Sequence, residues 1–281
     1  MIAVRDAIAE ATVKLSASGI DSARVDAELL AAHVLGLPRS RLVLARGLDG
    51  PAHARFSDLV RQRAQRRPLQ HLTGTAPFRD VEIAVGPGVF IPRPETEQLV
   101  GWGLARLSGP TPLVVDLCAG SGAIAVSVAD EYPGAVVVAV ESSAEALPWL
   151  RTNSAGTAIR VVDGDVTSPG TLADLDGMVD LVLCNPPYVP AGTPVEPEVG
   201  VHDPYQAVFA GDDGLDVIRP VTHRAAALLR PGGFLAIEHD DSHGTTVPAL
   251  LAATGAYDSI EDHRDLAGRP RYATARRLAH S

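Results

Sequence analysis

Residues 112–122 read PLVVDLCAGSG. A short β-branched run passes without a break into a glycine turn, and the following residues AIAVSVADE have helical spacing. A strand that runs straight into a glycine turn and a helix is the opening unit of a parallel sheet covered by helices. The unit recurs. AVVVAV (135–140), IRVVD (159–163), VDLVLC (179–184) and GFLAIE (233–238) are further strand candidates, and helical segments fall at 122–131, 143–154, 213–229 and 245–254. Continuous apolar runs suit strands buried on both faces. The predicted fold class is therefore α/β, a doubly wound and mostly parallel sheet. The stretches Tyr257–Asp262 and Arg271–Arg277 can add a closing antiparallel hairpin.

Upstream the character differs. Residues 1–75 read as a small all-α bundle of four short helices. In the first, over 3–18, Ala7, Ile8, Ala11 and Leu15 repeat with helical period. In the second, capped by Asp21 or Ser22 and stopped by Gly36 and Pro38, Val25, Leu29, Leu30 and Val34 are expected to face inward. A third spans 39–46, and Pro51 opens a fourth that runs to about Arg67. Residues 76–93 contain the alternation Val81, Ile83, Val85 and then Gly86-Pro87-Gly88, which predicts a β-hairpin linker. The sheet domain occupies 94–281.

Composition narrows the function. Of 281 residues, 46% are hydrophobic and 21% charged, an ordinary globular balance. No run approaches the roughly 18–20 apolar residues of a membrane span, and the N-terminus, which carries acids within its first turns, does not resemble a signal peptide. The expected setting is cytoplasmic, with no membrane partner. The net charge of −10 argues against direct nucleic-acid binding. The one basic run, RQRAQRR (61–67), reads either as a local basic patch or as a solvated helix face. Cys118 and Cys184 are too few for a disulfide framework and lack metal-ligand spacing, so no metal is expected. Both end strands predicted to be neighbours, which places two reduced thiols close together.

The turn Cys118-Ala119-Gly120-Ser121-Gly122 lies where ligands bind in open α/β sheets, beyond the carboxyl end of a strand. Gly120 and Gly122 let backbone approach a ligand closely. Glu141 ends the second strand, where a carboxylate can accept from both hydroxyls of a ribose. These residues alone admit three readings. Gly120-x-Gly122-x-x-Ala125 with an acid about 20 residues on also satisfies a dinucleotide fingerprint, and the loop can be a purely structural turn. Asp116 separates the first two. An acid there would repel a pyrophosphate, yet it would attract the amino group of S-adenosylmethionine. Asp165 and Val166, after the third strand, suit an adenine amino group and ring face; a turn aspartate is the structural alternative.

The fourth strand ends in Asn185-Pro186-Pro187-Tyr188. Two prolines stop the strand and fix φ twice. The backbone is stiffened, so the Asn185 side chain and the nearby carbonyls point in set directions. Carbonyl oxygens of Asn185 and Pro186 can grip the two hydrogens of an amide or aromatic amino nitrogen, and Tyr188 offers a flat face for stacking. This group is predicted to be catalytic and substrate-binding, with Asn185 also beside the cofactor.

With these motifs placed, the chain resembles the release-factor glutamine methyltransferase family, the HemK-type enzymes, over essentially its full length. The resemblance rests on Asn185-Pro186-Pro187-Tyr188, the glycine loop, Phe90-Ile91-Pro92-Arg93-Pro94-Glu95-Thr96-Glu97, Asp213-Gly214-Leu215-Asp216 and Leu229-Arg230-Pro231-Gly232-Gly233. It implies a Rossmann-like class I methyltransferase domain with S-adenosylmethionine as cofactor and S-adenosylhomocysteine as product. It also implies a substrate glutamine in the Gly-Gly-Gln motif of class I peptide chain release factors, which the helical domain helps to dock. A monomer is expected. Cys118, Ala119, Gly120, Ser121 and Gly122 would line the cofactor together with Pro92, Asp116, Glu141, Asp165, Val166 and Asn185, while Arg93 and Glu95 fix a lid over the substrate channel. Several positions depart from the family pattern: Cys118-Ala119 replaces Gly-Thr, Glu141 replaces Asp, Val166 replaces a larger residue, and Glu238-His239-Asp240-Asp241 replaces Glu-x-Gly. Competing readings are a nucleic-acid exocyclic-amine methyltransferase, a ribosomal-protein glutamine methyltransferase and a nicotinamide oxidoreductase. The last would need a catalytic acid or base near the fourth strand, and Asn185-Pro186-Pro187-Tyr188 supplies none.

Overall fold

A computed structural model describes residues 1–279. The chain forms two compact units. The first comprises Met1–Thr75 with Val195–His202, and the second comprises Ala76–Pro194 with the chain from Asp203 on.

The first unit opens with α1 (Val4–Ala17), α2 (Ala23–Leu35), a 3-10 turn (Arg39–Leu44), α3 (Gly50–Ala64) and α4 (Leu69–Thr73). Gly36 ends α2 in the left-handed conformation, and the Asp49 carboxylate caps α3 by accepting from the Ala52 N–H at 2.8 Å. The core is built around Leu15, Ala27, Leu30, Ala31, Leu48, Phe56 and Val60. The inward face of α2 differs from its expected stripe. Val25 is exposed, and Leu29 and Val34 are only half-buried, because Ala23, Asp26, Ala27, Leu30 and Ala31 occupy the buried side. Asp26 is buried there because Arg63 answers it at 2.7 Å. Arg63 also pairs with Glu198 at 2.8 Å, and Glu198 in turn takes Arg66 at 2.6 Å. Within the basic run, Arg63 is buried and Arg66 half-buried, and both pair with Glu198 of the later segment Val195–His202, while Arg61 stays exposed beside Asp58.

The second unit starts with a hairpin, β1 (Thr75–Phe78) and β2 (Val81–Ala84). Its turn is at Arg79-Asp80, ahead of the predicted Gly86-Pro87-Gly88 turn. Arg79 adopts φ +50° there and is held by both carboxylate oxygens of Glu131 and by the Glu97 carbonyl. Then follow α5 (Thr96–Leu104), β3 (Leu113–Leu117), α6 (Ala123–Glu131), β4 (Val136–Glu141), α7 (Leu147–Asn153), β5 (Arg160–Asp163) and β6 (Val179–Cys184). After β6 come α8 (Pro197–His202), which belongs to the first unit, α9 (Tyr205–Val208), α10 (Ile218–Leu228), β7 (Leu229–Glu238), α11 (Thr246–Ala253), β8 (Tyr257–Arg264) and β9 (Pro270–Arg277).

Seven strands form one sheet in the order β5-β4-β3-β6-β7-β9-β8. Strands β3 to β7 are parallel, and β9 joins β7 and β8 antiparallel. Alternate residues of each strand feed two apolar layers. Val114, Leu181 and Leu183 pack with α5 and α6, while Val115, Leu117, Val182 and Cys184 pack with α10 and α11. The order of crossing reverses between β3 and β6, which are paired in the register Leu117↔Cys184. The glycine turn after β3 and the Asn-Pro-Pro-Tyr turn after β6 are therefore neighbours at the switch point.

Arg63 and Asp26 are both nearly inaccessible, with side chains 8% and 4% exposed. Removing one partner strands the other charge in the core. Arg63→Ala is expected to destabilise the helical unit by about 3–5 kcal/mol, measured as a shift of its denaturant midpoint with the slope unchanged. A change under about 1 kcal/mol, the range of a surface pair, would show that Asp26 finds solvent without Arg63.

Candidate active site

Three loop segments of the second unit converge on the switch point. The first is the glycine loop. Cys118, Gly120 and Gly122 all take positive φ, +63°, +56° and +89°. Cys118 therefore holds, with a side chain, a conformation that favours glycine, at a backbone cost of roughly 1–2 kcal/mol. A Cβ at Gly122 would strike Leu150 at 2.7 Å, whereas one at Gly120 would meet nothing within 4 Å. Gly122 is thus demanded by close helix packing, and Gly120 leaves open space over the loop. Asn153 stiffens the region from behind. Its Nδ2 donates to the carbonyls of Ser121 (2.8 Å) and Ala84 (2.9 Å), and its Oδ1 accepts from Ala84 N–H (2.8 Å). Sequence reading gave Asn153 no role; only its position at the end of α7 hints at one.

Asp116 is fully buried. Its Oδ2 accepts from the Ala125 N–H at 3.1 Å, and its Oδ1 has no partner among the described residues. Burial pushes its carboxyl well above the usual carboxylate range, and the nearby Glu141 adds to this. At the end of β4, Glu141 accepts from Gly120 N–H at 2.7 Å and from Ser142 and Ser143 N–H at 2.9 and 2.7 Å. Three of its roughly four lone-pair sites are so used. Asp165 is exposed, and its Oδ1 accepts from the N–H and hydroxyl of Thr167 at 2.8 and 2.7 Å, closing a turn. Val166 is buried in the apolar layer beneath. Glu141 has about one lone-pair site left, enough for one ribose hydroxyl rather than the expected two, and with an orphaned buried acceptor and an open glycine it fits a ligand that carries an amino group and a ribose, as S-adenosylmethionine does.

The second segment is Asn185-Pro186-Pro187-Tyr188. Pro186 is buried, while Asn185, Pro187 and Tyr188 are half-buried. Asn185 donates from Nδ2 to the Thr96 hydroxyl at 3.1 Å. The Thr96 hydroxyl donates to Glu238 Oε2 at 2.7 Å, and the Tyr188 hydroxyl donates to Glu238 Oε1 at 2.9 Å. Burial pushes the Glu238 carboxyl up, whereas both hydroxyls and the charge of Arg271 hold it down. Burial and the charge of Glu238 push the Tyr188 phenol up, so it stays a donor. The departing segment Glu238-His239-Asp240-Asp241 now has a physical account. Glu238 anchors the turn after β6. His239 is buried, with Nδ1 against the Asp240 carbonyl at 2.8 Å and Nε2 against Asp262 at 3.0 Å. Burial pushes its pKa down.

The chain beyond Tyr188 is fixed by backbone bonds: Val189 N–H to Val208 carbonyl (2.9 Å), Ala210 N–H to Val189 carbonyl (3.0 Å) and Ala191 N–H to Gly211 carbonyl (2.8 Å). Gly214 explains the Asp-Gly-Leu-Asp segment. A Cβ at Gly214 would stand 2.2 Å from the Tyr188 carbonyl oxygen, and φ is +75°. Cys184 is buried and Cys118 partly so; both are free thiols. Burial and the neighbouring Cys118 sulfur push the Cys184 thiol well up, which keeps it protonated and inert.

The third segment is Pro92–Glu97. Half-buried Pro92 leads into Arg93, whose guanidinium lies 4.9 Å from the Phe90 ring and donates to Asp203 Oδ2 at 2.6 Å. Asp203 is raised to about 6 by burial, a rise that Arg93 opposes. Glu95, just before α5, is close enough to Glu238 for its charge to push that carboxyl up. Thr96 and Glu238, which hold the turn after β6, are residues of the site that sequence reading missed. Thr96 stood inside a quoted signature, and Glu238 is an acid at the carboxyl end of an apolar strand.

Among the described residues no group of His, Cys, Asp and Glu has the arrangement of a metal site, and no helix is long and apolar enough to cross a membrane.

Known proteins share both parts of this arrangement. The PrmC N-terminal domain family matches residues 6–74, and the methyltransferase small domain family matches residues 104–200. A solved structure of a T. thermophilus 16S rRNA N2 G1207 methyltransferase, in complex with AdoMet and guanosine, superposes with a TM-score of 0.51 at 24% identity, covering 72% of this chain and 49% of that one. That likeness establishes the fold. The chain is 44% identical over 260 residues to a 4-amino-L-phenylalanine/4-methylamino-L-phenylalanine methyltransferase of Streptomyces pristinaespiralis, covering 89% of this chain and 88% of that one. It is 46% identical over 275 residues to the release factor glutamine methyltransferase of Streptomyces coelicolor, covering 96% of each. With the Mycolicibacterium smegmatis protein of that name, identity is 49% over 281 residues and 100% of both chains. Likeness of that extent leaves no part of either unit outside the comparison, and the chain belongs to the release factor glutamine methyltransferase family.

Proposed function

We propose that this chain transfers a methyl group from S-adenosylmethionine to the side-chain amide nitrogen of a glutamine in a peptide chain release factor, the glutamine of the Gly-Gly-Gln motif in class I factors. The observation that carries this reading is Asn185, held at the carboxyl end of β6 by the Thr96 hydroxyl, beside the glycine loop of β3. When bound, S-adenosylmethionine supplies an electrophilic methyl group; the chain's own residues bind and align. Asp116, Glu141 and the loop from Cys118 to Gly122, with Pro92, are assigned to the cofactor's amino-acid and ribose ends. Asp165 has a second oxygen outside its turn for the adenine amino group.

An amide nitrogen is a poor nucleophile because its lone pair is delocalised into the carbonyl. Asn185 Oδ1 and the Pro186 carbonyl accept its two hydrogens, which orients the nitrogen and turns its lone pair out of conjugation. The Tyr188 ring gives the planar amide a face to lie on. Correct alignment of this kind contributes roughly 7–11 kcal/mol at best. The proton lost from the methylated nitrogen passes to water, so no strong base is required. The helical unit is assigned to docking of the release factor, and the enzyme acts as a cytoplasmic monomer without nucleic-acid contact.

The S. pristinaespiralis relative favours a second reading, an arylamine nitrogen as acceptor. Its lone pair is likewise conjugated, so the same clamp serves it. Labelled methyl transfer separates the two. The acceptors are a purified release factor with its Gly-Gly-Gln glutamine intact or changed to Ala, duplex DNA and 4-amino-L-phenylalanine. Label on the intact factor alone, reduced at least about 10²-fold by Asn185→Ala, is the expected result. Label on the arylamine alone would make the second reading correct.

Burial of Asp203 sets a pH dependence, which Arg93 moderates. In the unfolded chain Asp203 titrates near 3.8, and in the fold near about 6. Between these values the folded chain holds a proton that the unfolded chain has released. The group therefore favours folding below 3.8, and that contribution is lost as pH rises through about 6. The interval corresponds to about 3 kcal/mol. Relative to Asp203→Asn, the wild type is expected to lose stability by up to that amount between about pH 4 and about pH 7 in denaturant titrations. Parallel curves for the two proteins would place Asp203 in contact with water.

A further inference from the structure

The chain of hydrogen bonds from Glu238 to Asn185 has a direction, and the carboxylate sets it. Glu238 is 1% exposed, and each of its two oxygens accepts from a hydroxyl, Oε2 from Thr96 and Oε1 from Tyr188. A threonine hydroxyl carries one hydrogen. That hydrogen is spent on Glu238 Oε2 at 2.7 Å, so toward Asn185 the Thr96 oxygen can only accept. The Asn185 amide must then turn its NH2 to Thr96, as it does at 3.1 Å, and its oxygen the other way. Which end of an asparagine amide is oxygen follows from such a network, and here one anion decides it. Three features keep the anion in place: the Tyr188 hydroxyl at 2.9 Å, the charge of Arg271, and the strand pairing Cys184↔Ile237, which sets Glu238 beside Asn185.

We propose that Thr96 and Glu238 are positioning residues that fix the polarity of the Asn185 amide, so that an acceptor and never a donor faces the substrate nitrogen. This rests on the reading that Asn185 touches that nitrogen. An inverted amide would set its own two hydrogens against those of the substrate and leave two oxygens facing each other at Thr96. Tyr188 is tied to the same carboxylate, so the stacking face and the acceptor are set by one group.

The test compares Thr96→Val, Thr96→Ala and Thr96→Ser with the wild type in methyl transfer to intact release factor, with cofactor affinity and thermal midpoint measured on the same samples. Val keeps the shape without the hydroxyl, Ala removes the hydroxyl without crowding the start of α5, and Ser restores the hydroxyl. The expected result is a loss of about 10²-fold in kcat for Val and Ala, with KM and cofactor affinity within about threefold. Ser should regain most of the lost rate. Wild-type kcat in both Val and Ala would overturn the proposal. So would a loss that appears in KM, cofactor affinity and thermal midpoint together and that Ser does not restore, since that is the behaviour of a merely structural residue. Asn185→Ala, run in parallel, isolates the underlying reading. If it retains activity, Asn185 is not the acceptor. If it is inactive while Thr96→Val is not, the acceptor reading stands and the polarity relay falls.

Discussion

A carboxylate closed off from water at the end of β7 must be met by donors, and the arrangement of the site follows from the groups that meet it. Glu238 takes the hydroxyls of Thr96 and Tyr188, one from the first residue of α5 and one from the turn after β6. An unanswered buried charge is far more costly than a paired one, so the two segments cannot drift independently. The carboxylate therefore links the Pro92–Glu97 stretch to Asn185-Pro186-Pro187-Tyr188 more firmly than a surface pair can. Gly214 completes the restraint, because only a residue without Cβ lets the following loop lie against the Tyr188 carbonyl.

The sheet supplies the second half of the geometry. Parallel pairing in the register Leu117↔Cys184 brings two strand ends level. The glycine loop leaves one, and the proline-stiffened turn leaves the other. On the proposed assignment, a cofactor seated on the first and a nitrogen gripped by the second would lie side by side. Cys118, in left-handed backbone, and Cys184, buried one residue before Asn185, fill the space between the two strand ends. Burial keeps the Cys184 thiol protonated, as befits a packing group.

Most of the sheet was legible because β-branched runs such as VVDL and VDLVLC have no competing helical period. The glycine loop and Asn185-Pro186-Pro187-Tyr188 were legible because glycine and proline announce backbone geometry directly. The misreadings have equally specific causes. On α2 a stripe of large apolar residues put Val25 inside, yet alanines and the Asp26–Arg63 pair hold the buried face. Hydropathy cannot anticipate a buried ion pair whose partner lies 37 residues away. The basic run of α3 looked like surface for the same reason. The hairpin turn was placed at Gly86 and Gly88, although Arg79 takes the left-handed conformation with Glu131 and Glu97 to hold it. Thr96 and Glu238 were invisible as a pair, since only the packing of α5 against β7 brings residues 142 positions apart into contact.

The clamp proposed at Asn185 would recognise a nitrogen by its hydrogens and its plane, and both properties are shared by a carboxamide and an arylamine. That the family assignment and a 44% identical arylamine methyltransferase coexist is then physically reasonable. Local chemistry at β6 sets the class of nitrogen, not the molecule that carries it. Choice of molecule must come from surfaces that hold the rest of the substrate, where binding energy from remote contacts is spent on alignment. A glutamine side chain is flexible and weakly nucleophilic, so it gains more from such contacts than a rigid arylamine does. The helical unit, with its own core and the buried Asp26–Arg63 pair, is a preformed body, and if it takes the docking role proposed for it, no binding energy is consumed in ordering it.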